Sequence, residues 1–67
     1  MNERNSIPAV LLYYDRDGQL RQAETNAAPF DCDNPLAAAS NLALRRPALV
    51  TVGDVAATLA ELRRVEG

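Results

Sequence analysis

The segment Pro8-Ala-Val-Leu-Leu-Tyr-Tyr14 constrains this chain more than any other, because it is apolar throughout and stops abruptly at Asp15-Arg16-Asp17-Gly18. The run is too short for an isolated helix, is rich in strand-forming side chains and ends in turn residues, so it is a strand. Asp-Arg-Asp-Gly suits a type I turn closed by a residue at positive φ, a conformation that glycine adopts at least cost. Residues 19–25 then return as the second strand of a hairpin. A strand that is apolar on both faces belongs in the middle of a sheet.

With Asp15 opposite Gln19, Tyr14 lies across from Leu20, Tyr13 from Arg21 and Leu12 from Gln22. One face then carries Val10, Leu12, Tyr14 and Leu20, and the other Leu11, Tyr13, Arg21 and Ala23. A slip of one residue would send every side chain of the returning strand to the opposite face.

Residues 26–33 hold Pro29 and two acids without periodicity and form a connection. Asn34-Pro35 marks a helix start, since Asn34, or Asp33 just before it, can cap and proline is at home at the first helical position. The alanine-rich stretch that follows has high helix propensity, and Pro47 disfavours helical geometry at Arg46, which places the helix over residues 35–45. Residues 48–52 are a short β-branched run bounded by Pro47 and Gly53 and form the third strand. Asp54 is the expected cap of a second helix, in which Val55, Leu59 and Leu62 recur at helical spacing as far as Val65. The fold class is therefore α+β: a two-layer domain over residues 7–67, with a three-stranded antiparallel sheet, the order ββαβα and two helices on one face. Residues 1–6 lack apolar periodicity and read as a loose lead-in.

Composition decides what can hold such a domain together. Sixty-seven residues allow one core, and twelve of the apolar residues are alanines with little surface to remove from water. Domains of this size usually need a disulfide, a metal or a partner. Cys32 is alone and there is no histidine, which disfavours the first two and leaves self-association or docking to another protein. No apolar run approaches the ~20 residues that span a bilayer, and residues 1–6 do not resemble a signal, so the chain reads as cytoplasmic. A net charge of −2 disfavours a general polyanion binder. All seven basic residues are arginine, a bias expected of a GC-rich bacterial or phage genome and also suited to guanidinium recognition of phosphate or carboxylate.

Few residues offer chemistry. Asp15, Asp17, Gly18, Leu20 and Glu24 follow the spacing of a helix-flanked calcium loop, but Tyr13 occupies the first ligand position and a strand precedes the turn. Tyr14-Asp15-Arg16-Asp17-Gly18-Gln19-Leu20 resembles one unit of the tyrosine-aspartate repeats of large bacterial shell-forming toxins, and the resemblance implies a hairpin here. Ser6, Cys32, Ser40, Thr51 and Thr58 are the nucleophile candidates, and none has a recognisable base beside it in sequence. Asp31 and Asp33 flank Cys32 and suppress its thiolate. The chain accordingly reads as non-enzymatic, with no cofactor and no metal.

Two surfaces remain as candidates. If the helices cover the side bearing Val10, Leu12 and Tyr14, then Leu11, Tyr13, Arg21 and Leu49 are left on the other face, and contiguous apolar surface on a small domain marks an interface. The first functional expectation is therefore a protein-interaction or regulatory module, homodimeric or part of a larger assembly, that uses a sheet face or edge. The alternative is a small nucleic-acid-binding regulator that grips phosphate with Arg45, Arg46, Arg63 and Arg64, two pairs expected in the last turns of the two helices.

Overall fold

The computed structural model describes residues 5–67. Its elements are β1 (Ile7–Tyr14), β2 (Leu20–Ala27), α1 (Pro35–Ala43), β3 (Ala48–Thr51) and α2 (Val55–Glu66), with 3-10 turns at Pro29–Asp31 and Val52–Asp54. The sheet is three-stranded in the order β2-β1-β3, and both pairings are antiparallel. The strand that is apolar on both faces is thus the central one. Most of the expected lead-in, residues 1–4, lies outside the described residues.

The hairpin follows from local chemistry. Asp15 N–H donates to Gln19 O and Gly18 N–H to Asp15 O, with Gly18 at φ 81°, a type I turn that closes on a left-handed residue. Asp15 Oδ1 also accepts from the backbone N–H groups of Asp17 and Gln19, both at 2.9 Å, so the side chain braces its own turn. The resulting register pairs Tyr14 with Leu20, Tyr13 with Arg21 and Leu12 with Gln22. β2 runs two residues past the expected Thr25, to Ala27 opposite Ile7.

α1 begins as its sequence dictates: Asn34 Oδ1 accepts from Ala37 N–H at 2.8 Å and Pro35 fills the first helical position. It ends at Ala43 rather than Arg45. Arg45 adopts φ 62°, its N–H donates to Leu42 O and Arg46 N–H donates to Asn41 O, the paired bonds of a Schellman cap. The cap stops the helix before Pro47 can. β3 likewise stops at Thr51, because Val52 already belongs to the 3-10 turn that leads into α2. Asp54 stands at the N-cap of α2, but its side chain makes no capping bond; the buried Thr58 hydroxyl instead donates to Asp54 O at 2.8 Å.

One core joins the two layers. Val10 and Leu12 of β1, Ala48 and Val50 of β3, Ala38, Ala39 and Leu42 of α1 and Leu62 of α2 are buried together, with Tyr14, Leu20, Ala43 and Val55 packed against them. The helices therefore lie over β1 and β3, whereas the side chains of Gln22 and Glu24, which point the same way from β2, stay exposed. The core is as thin as the composition implies: Phe30, Leu36, Leu44, Val52 and Val65 contribute nothing to it and stand in solvent.

Candidate protein-binding face

The side of the sheet away from the helices brings the expected residues together. Leu11 lies between Ala23 of β2 and Leu49 of β3, and Tyr13 lies opposite Arg21. Alternation along the strands adds Ile7, Ala27 and Ala9 to the same face. Ala9 is buried there, between Thr25 and Thr51, while Leu11, Tyr13, Ala23 and Leu49 are half-buried, and among the described residues no helix or strand packs over them. The result is a strip of small and medium apolar side chains, with the polar Thr25 and Thr51 toward one end and Arg21 at the other.

Arg21 is partly engaged at the rim. Its Nε donates to Asp15 Oδ2 at 2.7 Å, with the side chain 57% exposed. That bond is the main reason the Asp15 carboxyl is held below its ordinary range, helped by the backbone N–H groups of Gln19 and Asp17 and resisted by partial burial. Asp15 thereby ties the turn to β2. Glu24, the distant member of the calcium-like spacing, sits opposite Val10 in the middle of β2 and takes no part in the turn.

The arginine pairs also meet, though not as expected. Arg45 and Arg46 lie beyond the end of α1, whereas Arg63 and Arg64 do occupy the last turn of α2. Arg45 reaches from its left-handed position to three groups: Glu66 Oε2 at 2.9 Å, Leu42 O at 3.3 Å and the face of Tyr14, 4.1 Å from the ring centroid. Its guanidinium clasps the ends of α1, α2 and β1 together. Arg64 pairs with Glu61 at 3.2 Å. Among the described residues, Arg46 and Arg63 make no ion pair, so each pair has one committed and one open guanidinium.

Charge is separated along the strand axis. The hairpin end holds Arg16, Arg21, Arg45, Arg46, Arg63 and Arg64 against Asp15, Asp17, Glu61 and Glu66, for a net charge of +2. The opposite end holds Asp31 and Asp54 without a described cation, a net charge of −2, while Glu24 and Asp33 lie beside the middle of the sheet. Asp31, Asp33 and Asp54 all surround Cys32, whose thiol pKa is raised first by burial and then by these three carboxylates. The flanking acids were legible in the sequence; Asp54, more than twenty positions away, was not.

The sequence counts Phe30, Leu36, Leu44, Val52 and Val65 among the large apolar side chains available to the core, but all five are exposed. Phe30, in the 3-10 turn after β2, is 86% exposed. Its position in a polar connection between Pro29 and Asp31 was the available signal. An open groove of about 430 Å³ lies at the same end, between Pro8, Glu24, Asn26 and Val52. A second, of about 360 Å³, lies beside Arg63 and Glu66 between the hairpin and α2. Neither holds a buried polar group without a partner, and among the described residues no three Cys, Asp or Glu side chains are placed to hold a metal. No helix there is long and apolar enough to cross a membrane. Comparison with known protein families, curated proteins and solved structures finds no match.

Proposed function

We propose that this protein is a non-enzymatic interaction module that binds a protein partner through the open face of its sheet. One observation carries the reading: Leu11, Tyr13 and Leu49 form a contiguous apolar strip with Ala23 on the uncovered side of the central strand. A small domain with few large aliphatic side chains in its core gains more from burying such a strip than a large one does. Aromatic and apolar anchors on a rigid sheet also lose little conformational freedom when they bind.

The test is site-specific photo-crosslinking in cells that produce the chain. A photoreactive residue at Tyr13 or Leu49 should give one discrete adduct, and the same residue at Ala57, exposed on α2, should give none. Equal yields at all three positions, or none at any, would refute the reading.

A second reading is favoured by the open guanidiniums of Arg46 and Arg63 at the hairpin end, which suit a phosphate backbone. It requires salt-dependent retention of DNA or RNA that falls when both are replaced by alanine.

A further inference from the structure

The outer edge of β2 is an unprotected template for another strand. In an antiparallel ladder, hydrogen-bonded and non-hydrogen-bonded pairs alternate. The bond from Asp15 N–H to Gln19 O therefore turns the backbone groups of Arg21, Ala23, Thr25 and Ala27 toward β1. The bond from Asp33 N–H to Leu49 O, on the outer side of β3, agrees with the same alternation carried across β1. It follows that the N–H and C=O groups of Leu20, Gln22, Glu24 and Asn26 point outward. Among the described residues they have no backbone partner, and only Asn26 O has a side-chain contact, from Thr25 Oγ1 at 3.5 Å.

Natural edge strands are shortened, bulged, covered, or guarded by proline or lysine. β3 is short, and Asp33 lies along its outer side. β2 is neither short nor flanked in this way: it is eight residues long, keeps a regular register with β1, contains no proline or lysine, and its charged residues are Glu24 and Arg21, the latter tied back to Asp15. The helices do not shield it, since they lie over β1 and β3.

We propose that β2 pairs antiparallel with β2 of a second copy of this chain about a two-fold axis at Ala23, giving a continuous sheet of six strands. The occupant is fixed by charge. An antiparallel two-fold inverts one subunit, so the +2 hairpin end of each lies beside the acidic end of the other, which carries Asp31 and Asp54. The register is fixed in the same way. The outward groups must face each other, which allows Gln22 opposite Glu24 of the partner subunit, Gln22 opposite itself, or Glu24 opposite itself. The last sets two carboxylates side by side, and the second leaves Asn26 unpaired. The first uses the whole edge and places Ala23, with its small side chain, on the axis.

The pairing deepens the interaction reading above, and rests on it for its purpose. One open face is at most about 14 Å wide and 27 Å long, or roughly 400 Å², whereas a stable interface needs about 800 Å² per partner. Two faces joined at β2 supply that area.

Sedimentation velocity on the purified chain, from micromolar to millimolar concentration and with far-UV CD to check folding, tests the pairing. The wild type should dimerise with concentration. Glu24→Pro removes an outward N–H without breaking a bond to β1 and should weaken the dimer at least about tenfold. Gln22→Lys should tighten it and Gln22→Glu weaken it, each by about 2- to 30-fold at low salt, because each change acts at two symmetric pairs. These two variants keep the test decisive if Glu24→Pro does not fold. A wild type monomeric at every concentration, or a dimer indifferent to all three changes, overturns the proposal. If Leu11→Asp dissociates a dimer that Glu24→Pro leaves intact, the second copy sits on the open face: the edge pairing fails and the face reading stands. If the edge variants behave as expected but crosslinkers at Tyr13 and Leu49 trap nothing, the pairing stands and the face reading fails.

Discussion

Truncating Leu42 to alanine tests the account of the core directly. Leu42 is fully buried where α1 meets both sheet and α2, among Leu12, Val50, Leu62 and the alanines 38, 39 and 48. Leucine-to-alanine changes in cores cost about 2.7–5 kcal/mol, and the larger values belong to sites whose walls cannot collapse into the cavity. Alanine has no rotamer with which to fill a void, so the alanine-rich lining here points to the upper half of that range. A chain of 67 residues has a total stability of about 3–10 kcal/mol at the usual ~0.05–0.15 per residue. Leu42→Ala should therefore remove at least a third of the stability, and nearly all of it where the starting value lies at the lower end of that range. Leu44, two positions on, is 64% exposed, and Leu44→Ala should change stability by less than about 0.5 kcal/mol. Urea titration followed by CD, at one fixed protein concentration, measures both. A loss below about 1 kcal/mol for Leu42→Ala, or equal losses for the two variants, would refute the packing argument.

Two further predictions concern the ends of the sheet. Because Asp15 titrates below its ordinary value of 3.8 in the folded chain, its contribution is complete above that value and is lost as pH falls through the lower folded value. The melting temperature of Asp15→Asn should accordingly fall less than that of the wild type between about pH 5 and about pH 2, and parallel curves would contradict the role given to the turn carboxylate. Arg45 combines a left-handed backbone with the clasp on Tyr14 and Glu66. Glycine and alanine both lose the clasp, but only glycine relieves the backbone, so Arg45→Gly should melt higher than Arg45→Ala, and the reverse order would be incompatible with the cap described.

The sequence disclosed the elements that depend on neighbours in the chain. Asp15 to Gly18 defined the hairpin and its register, Asn34-Pro35 the start of α1, and the two-sided apolarity of β1 its central place. What it withheld depends on residues far apart. α1 ends at an arginine in a conformation that favours glycine, held by contacts to Tyr14 and Glu66 that no local pattern records. The last two residues of β2 are Asn26 and Ala27, which lack strand propensity, and their pairing with β1 comes from the register set at the turn. The membership of the open face followed from alternation alone, but the side on which the helices lie follows from burial of Val10, Leu12 and Val50 under α1 and α2. The committed state of Arg45 was illegible for the same reason, whereas the pairs Arg21 with Asp15 and Arg64 with Glu61 are local, across the turn and three residues apart on α2.

The central strand acquires its two neighbours at very different times. Leu11 meets Ala23 across a tight loop, a closure on the microsecond scale, but it meets Leu49 only after α1 has been made and turned back. During synthesis the hairpin can therefore exist while β3 is still inside the ribosome. In that interval Val10 and Leu12 face water beside a bare strand edge, and the nascent chain is at its most prone to aggregate.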